Sequence, residues 1–309
     1  MADAVTICEC FARDGLQHEP EFVPTATKLA LLKSFAEAGF QRIEATSYSH
    51  PQRVPGFADA SELLAELPRQ PGVAFKATCP NQKAVQRALD DADRGAGADE
   101  LSLLVSATEN HTQRNLRSTR NEQWARVTEM VRLAGGRFRL VGVVSVAFGC
   151  PFEGHVDPGR VVEDVARFAE LGVDLVTLGD TTGVATPRTV ADMFSRLDRA
   201  RPGPPVVAHF HNTRGTGIAN AIAALDAGCR HFDSALGGVG GHPSKISYGA
   251  GLTGNVCTED LVSLFDAMGV ETGIDLDALA AASSACEEAL GRPLHSMVAR
   301  AGFSGRPAA

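Results

Sequence analysis

The chain has 309 residues, of which 44% are hydrophobic and 21% are charged, and its formal net charge is −8. This ordinary globular composition excludes collagen, coiled coils and intrinsic disorder, and an acidic chain without a basic tract is a poor candidate for sequence-independent nucleic-acid binding. The length fits either two average domains or one α/β barrel of about 250 residues with an appendage.

Short β-branched apolar runs alternate with longer helical patterns along the chain. Such runs are typical of buried strands in a parallel sheet. The predicted strands are Val5–Phe11, Arg42–Thr46, Ala74–Cys79, Glu100–Ser106, Arg139–Ala147, Leu175–Thr181, Val206–His211 and His231–Leu236.

The helical patterns begin and end at recognisable residues. Over residues 28–38 the apolar side chains share one face, and Gly39 ends the pattern. The Asp157-Pro158 and Thr186-Pro187 pairs predict two further helix starts, because a capping side chain followed by proline is typical there. Two more helical patterns cover Thr216–Gly228 and Thr258–Gly269.

Eight strands that alternate with helices indicate parallel β/α pairing, and eight is the number that closes a TIM barrel. A doubly wound open sheet is the competing architecture, but no Gly-x-Gly-x-x-Gly motif follows the first strand. We therefore predict an α/β fold with a TIM (β/α)8 barrel over about residues 1–245. A C-terminal loop and two or three helices are expected over about residues 246–309, so that residues 1–309 form one catalytic domain.

The sequence also predicts where the protein resides. Its start, Met1 to Cys10, lacks the basic residues and the long apolar run of a signal peptide. The most apolar stretch, Leu140 to Cys150, is far shorter than the roughly 20 residues that span a bilayer. The seven cysteines are scattered and odd in number, which indicates reduced thiols. We expect a cytoplasmic protein with no membrane segment.

Polar side chains stand at the ends of several predicted strands. In a TIM barrel the active site lies at the C-terminal strand ends, so these side chains are expected to cluster there. They are Arg13 and Asp14 after the first strand, Glu44 in the second, Asp180 in the sixth, and His209 and His211 in the seventh.

His209 and His211 are the strongest local signal for a metal site. Residues i and i+2 of a strand point to the same face, so both imidazoles can reach one ion. Asp14 would add a carboxylate, and such a set leaves open positions for water and substrate. The alternative is a pair of histidines that are hydrogen-bonded within the barrel mouth.

Arg13 places a cation beside this candidate metal site. A planar guanidinium suits a substrate carbonyl or carboxylate and can stabilise a developing enolate. The alternative is a structural salt bridge to Glu44 or Asp180, and Glu44 could also orient Arg13 for catalysis.

The segment from Leu236 to Asn255 is rich in glycine. It could fold over the site as a lid or serve as a long surface connection. Its candidate chemical groups are His242 and Asn255.

Together these residues make the chain resemble the 3-hydroxy-3-methylglutaryl-CoA lyase family of TIM-barrel metallolyases. The resemblance runs over about residues 5–290. The matching stretches are residues 13–17, 43–47, 149–154, 178–181, 209–211 and 254–262.

The resemblance implies a divalent cation, Mg²⁺ or Mn²⁺, bound in the barrel mouth. Hard oxygen ligands on the substrate favour these ions over zinc. The implied ligands are Asp14, His209, His211 and Asn255.

The resemblance also implies a reaction, a retro-Claisen cleavage. A 3-hydroxyacyl-CoA loses its 3-hydroxyl proton, the adjacent C–C bond breaks, and an acyl-CoA enolate leaves and is protonated. With 3-hydroxy-3-methylglutaryl-CoA the products are acetyl-CoA and acetoacetate. The catalytic arginine would be Arg13, supported by Glu44 and Asp180, with His209 also a candidate for proton transfer. The family further implies an acyl-CoA thioester as partner and a homo-oligomer, a dimer or larger.

The sequence departs from the family at three places. Gly240-Gly241 is followed by His242, where the family carries a cysteine that is linked to proton transfer. Imidazole titrates near neutral pH, so His242 could take over that role, or it could mark a different substrate or an ordinary loop residue. The other departures are Asn212 after the paired histidines and the segment at residues 49–52.

These departures keep other functions open. One is a lyase or aldolase of the same fold that acts on a different 3-hydroxyacyl-CoA or on a 2-oxo acid. Another is a Claisen-condensing acyltransferase, because condensing relatives such as the isopropylmalate synthases carry Asn at the position of Asn212. The chain has no room for the regulatory domain of such synthases.

Overall fold

The structure is a computed structural model that describes residues 4–201, 203–241 and 254–303. In this part of the chain, eight parallel strands close into a barrel in which each strand pairs with the next and β1 pairs with β8. The predicted TIM barrel is confirmed. The strands are β1 (Thr6–Glu9), β2 (Arg42–Ser47), β3 (Ala74–Cys79), β4 (Glu100–Ser106), β5 (Arg139–Ser145), β6 (Leu175–Asp180), β7 (Val206–Phe210) and β8 (His231–Ser234).

Helices surround the barrel and follow the strands in turn. Those in the described residues are α1 (Thr25–Glu37), α2 (Ala60–Ala65), α3 (Gln82–Asp93), α4 (Glu109–Leu116), α5 (Arg120–Ala134), α6 (Pro158–Glu170), α7 (Pro187–Ala200), α8 (Gly217–Asp226), α9 (Thr258–Ala267), α10 (Leu276–Leu290) and α11 (Val298–Ala301). None of them combines the length and the apolar character that crossing a bilayer requires.

The predicted capping signals form as expected. The Asp157 side chain accepts a hydrogen bond from the Gly159 amide at the start of α6, and Thr186 accepts one from the Thr189 amide at the start of α7. Both helices have proline in their first turn, where its missing N–H costs no hydrogen bond.

Strand β1 is shorter than the predicted strand Val5–Phe11. It ends at Glu9 because the chain turns into a single π-helical turn over Phe11–Gly15, in which the amide of Gly15 bonds the carbonyl of Cys10. This turn carries Arg13 and Asp14 back over the barrel mouth.

The apolar core lies between the strands and the helices. A Cβ atom on Gly142 of β5 would lie 2.6 Å from the ring of Phe168 in α6, so only glycine allows this close approach. The Phe168 ring in turn packs on Trp124 of α5 at 4.8 Å between centroids. All seven cysteines are buried and free, which agrees with the predicted thiols.

The barrel interior is polar below the mouth. Arg42 of β2 and Glu100 of β4 form a buried ion pair at 2.7 Å, and Val141, Leu175 and Val207 form a small buried apolar cluster that is separate from the main core. Three helices follow β8 in the described residues. Of these, α9 takes the usual place after the last strand and α10 packs against α1.

Candidate active site

The predicted site residues converge at the C-terminal ends of the strands. Arg13 and Asp14 arrive on the turn after β1, and His209 and His211 stand at the end of β7. Asn255 joins them through a two-residue antiparallel bridge with His211, although 44 positions separate the two residues in the chain.

Three side chains, those of Asp14, His209 and His211, direct their candidate ligand atoms to one position, the ligand point. The Nε2 atoms of His209 and His211 are 3.2 Å apart, and they lie 3.9 and 3.6 Å from Oδ2 of Asp14. An octahedral ion with ligands at about 2.1 Å holds neighbouring donor atoms about 3.0 Å apart. The geometry and the donor set therefore fit a divalent cation.

Asn255 contacts this set through its side-chain amide. Its Nδ2 donates to Oδ2 of Asp14 at 2.8 Å and to the carbonyl of Val239 at 2.9 Å, which fixes the amide. Its Oδ1 is buried and has no hydrogen-bond partner among the described residues. A buried acceptor without a donor is costly. The amide nitrogen is the end that faces Asp14 here, so Asn255 would ligate a cation only after its amide turned over.

Asp233 holds His209 from behind, and the sequence reasoning missed it. The register places it beside His209, and its Oδ2 lies 3.3 Å from His209 Nδ1. A carboxylate on the second ring nitrogen fixes the tautomer, so that Nε2 faces the ligand point. The available signal was an acidic residue in the middle of β8, on the strand next to the histidines.

Arg13 is oriented by three acceptors. Its Nη1 is 2.8 Å from Oδ1 of Asp14, and its Nε is 3.1 Å from Oε1 of Glu44. Its Nε and Nη2 also donate to the hydroxyl of Thr78, at 3.0 and 2.8 Å. The predicted contact with Glu44 is present, and Thr78 is a partner that the sequence reasoning did not name.

Asp180 reaches the same end of the barrel but has a different environment. Its two oxygens accept hydrogen bonds from the amides of Val184 and Ala185, at 2.9 and 3.1 Å. Both contacts tie the loop after β6 to the barrel, so Asp180 is not the salt-bridge partner of Arg13. Burial raises its pKa. Its catalytic role stays a prediction.

Burial and charge shift the pKa values of the central groups in opposite directions. Burial opposes ionisation of Asp14, but contact with His211 and the charge of Arg13 hold its pKa well below the usual range. Burial also opposes protonation of His209, yet its contact with Asp233 raises the pKa of the imidazole. The site is thus built around an ionised carboxylate that needs positive partners.

Glu9 lies beneath the site and holds two of its loops. Its Oε1 accepts hydrogen bonds from the amides of Phe11 and Leu236, at 2.8 and 3.0 Å, and its Oε2 lies 2.6 Å from the hydroxyl of Thr258. Burial raises the pKa of Glu9 to about 8. One carboxyl therefore ties the turn that carries Arg13 to the start of the glycine-rich loop.

The structure describes the glycine-rich loop at residues 236–241 and 254–255, and the predicted lid lies outside the described residues. His242 lies outside the described residues. Asn212 is described, and its side chain accepts a hydrogen bond from the amide of Gly217 at 2.9 Å, which caps α8. The Asn212 side chain thus has a structural role at the start of a helix.

Comparison with known proteins agrees with the geometry of the site. The sequence model of the HMGL-like family matches residues 4–286. The chain is 36% identical over 298 residues to the mitochondrial hydroxymethylglutaryl-CoA lyase of Macaca fascicularis, which covers 96% of this chain and 89% of that protein. It is 37% identical over 313 residues to the (R)-citramalyl-CoA lyase of Chloroflexus aurantiacus, which covers 97% and 95%.

A solved structure is similar over almost the full length. It is that of an HMG-CoA lyase from Acinetobacter baumannii in complex with coenzyme A and 3-methylmalate. The TM-score is 0.91 at 38% sequence identity, and the match covers 99% of this chain and 98% of that one.

Proposed function

Because this chain belongs to the HMGL-like family and is a lyase of that family, we propose that it cleaves a 3-hydroxyacyl-CoA thioester related to 3-hydroxy-3-methylglutaryl-CoA. The observation that carries the proposal is the convergence of His209, His211 and Asp14 beside Arg13. The proposed products are acetyl-CoA and, from that substrate, acetoacetate.

The proposed metal site uses the residues that the sequence predicted. Asp14, His209, His211 and Asn255 would hold Mg²⁺ or Mn²⁺, which when bound supplies a Lewis acid that lowers the pKa of a coordinated hydroxyl. The contact of the Asn255 amide with Oδ2 of Asp14 supports this assignment.

The proposed reaction is a retro-Claisen cleavage of the bond between C2 and C3. The 3-hydroxyl proton leaves, the O–H electrons form a carbonyl at C3, and the C2–C3 bond electrons pass to C2 as the acyl-CoA enolate. A proton donor then quenches C2. Arg13 stabilises the enolate charge, because its guanidinium is fixed at the mouth by Glu44, Thr78 and Asp14.

His209 cannot bind the metal and accept a proton at the same moment. Its Nδ1 faces Asp233, so only Nε2 is directed to the mouth. In the proposal it is either a ligand or the acceptor of the hydroxyl proton at a given step. The donor to C2 is proposed to be His242, in place of the family cysteine.

A second substrate is supported by a specific similarity. The relative from Chloroflexus is named (R)-citramalyl-CoA lyase and is as similar to this chain as the hydroxymethylglutaryl-CoA lyases are. Citramalyl-CoA also carries a 3-hydroxyl and a carboxylate, so the same residues would act on it.

An assay with both thioesters tests the proposal. We expect purified protein with Mg²⁺ or Mn²⁺ to release acetyl-CoA from 3-hydroxy-3-methylglutaryl-CoA or from (R)-citramalyl-CoA, and His211→Ala to abolish this activity. Asp192→Asn, on the exposed face of α7, is the matched control and should keep it. Failure to cleave either thioester with any divalent ion would refute the proposal. Release of free CoA from acetyl-CoA and a 2-oxo acid would identify the condensing alternative.

A further inference from the structure

We infer that β3 carries two positioning residues, Thr78 and Lys76, which connect the catalytic Arg13 to the metal ligand His209. The inference rests on the proposed function. Residues 76 and 78 are i and i+2 on one strand, so both side chains point into the barrel.

Thr78 is the direct support of Arg13. Its buried hydroxyl accepts hydrogen bonds from Nε and Nη2 of Arg13, at 3.0 and 2.8 Å, and donates one to Oε1 of Glu44 at 2.7 Å. A hydroxyl has one proton and two lone pairs, and all three are used here. The plane of the guanidinium is therefore fixed by Thr78 as well as by the carboxylates.

Lys76 joins this group to the metal site. Its Nζ lies 3.8 Å from Oε1 of Glu44 and 3.8 Å from Oδ2 of Asp233, and its side chain is 3% exposed. Oε1 of Glu44 also contacts Arg13, and Oδ2 of Asp233 also contacts His209. A single buried ammonium thus lies between the two carboxylates that orient the two reactive groups.

The strand register explains why these contacts form. Lys76 pairs directly with Glu44 across the β2–β3 ladder, and a bulge at Ala45 follows, where the register shifts by one residue. Bulges redirect side chains and are common beside active sites. Here the bulge lies where Glu44 meets both Lys76 and Thr78.

Variants of Thr78 test the direct support. We expect Thr78→Val to lower kcat by about 10–100-fold with KM within about threefold, since small misplacements of a reactive group cost that much. Thr78→Ser, which keeps the hydroxyl, should retain near-normal kcat. Thr177→Val is the matched control, because Thr177 is a buried threonine of β6 whose hydroxyl has no partner among the described residues. It should leave kcat unchanged.

A measurement without turnover separates this inference from the proposed function. In protein with ¹⁵N-labelled arginine, the Nε–H signal of Arg13, assigned with Arg13→Lys, should exchange slowly with solvent. Thr78→Val should make the exchange fast, and Thr78→Ser should not. If the wild-type protein cleaves neither thioester, the proposed function fails while this signal still tests Thr78. An unchanged signal in Thr78→Val, or a kcat equal to that of Thr177→Val, would overturn the inference.

Lys76→Met tests the connection. We expect kcat to fall by about tenfold, and Thr78→Val with Lys76→Met to lose less than the product of the two single losses, because both residues act through Glu44. Losses that multiply would show that the two residues act independently and would refute the connection. If Lys76→Met does not fold, Lys76→Gln replaces it in the same cycle.

Discussion

At the scale of single residues, the central groups of the site each contact more than one partner. Asp14 contacts Arg13 through one oxygen and the histidines and Asn255 through the other. His209 has Asp233 on one ring nitrogen and the ligand point on the other. Such contacts fix tautomer and direction before any ligand arrives, which is how a preorganised site lowers the cost of reaction.

Asp233→Asn tests the support of His209. We expect the affinity for Mn²⁺, measured by calorimetry, to fall by about 10–100-fold, because the amide no longer holds the imidazole as a carboxylate does. Asp192→Asn should bind Mn²⁺ as the wild-type protein does. Equal Mn²⁺ affinities of Asp233→Asn and wild type would contradict this account.

At the scale of elements, Glu9 joins parts of the chain that are far apart in sequence. Through Phe11 it holds the turn after β1, through Leu236 it holds the segment after β8, and Thr258 contacts it from the start of α9. A buried carboxyl in this position fixes two loops of the barrel mouth relative to each other.

The raised pKa of Glu9 predicts a pH-dependent stability. Because burial raises it from 4.5 to about 8, the folded state holds the proton more tightly than the unfolded chain does. This stabilisation is full below about pH 4.5 and is lost as the pH rises through about 8.

Glu9→Gln tests this sign. The amide stays neutral at every pH, so the variant should be more stable than wild type at pH 8, by on the order of 1 kcal/mol or more in the free energy of unfolding. The difference should shrink toward pH 5, as measured by urea unfolding at several pH values. Glu163→Gln, on the exposed face of α6, is the control, and its free energy of unfolding should depend on pH as that of wild type does. The same pH dependence in Glu9→Gln as in wild type would refute the prediction.

At the scale of the whole molecule, the ligand point lies where distant strands meet. A cation there would contact the turn after β1 and the end of β7 together, along with the segment that returns at Asn255. Such an ion would bind the closed barrel and not the unfolded chain, so it should stabilise the fold by mass action. The cytoplasmic location and the homo-oligomer stay predictions.

Thermal unfolding measures how much a bound cation stabilises the fold. At Mn²⁺ concentrations about 100 times Kd we expect a stabilisation of about 2.7 kcal/mol, which corresponds to a rise in Tm of roughly 4 °C for a chain of this length. His211→Ala should show no such rise. The same rise in His211→Ala as in wild type would place the ion elsewhere in the protein.

Much of the fold was predictable because its signals are local. The alternation of strands and helices and the capping pairs at Asp157 and Thr186 depend only on neighbouring residues. Strand ends were less predictable. The turn at Phe11–Gly15 continues an apolar run that reads as strand, and only the packing of the barrel mouth bends it.

The sequence by itself determined the barrel, the side on which His209 and His211 lie, and the presence of Arg13 and Asp14 at a strand end. Only the tertiary structure decided that Asp233 supports His209, that Lys76 and Thr78 join Glu44, and that Glu9 ties two loops together. The physical reason is that the first set follows from local patterns, namely the alternation of strands and helices and the period of two along one strand. The second set follows from the register between strands and from contacts between loops at the barrel mouth. That register is fixed only when the barrel closes and brings residues far apart in sequence into contact.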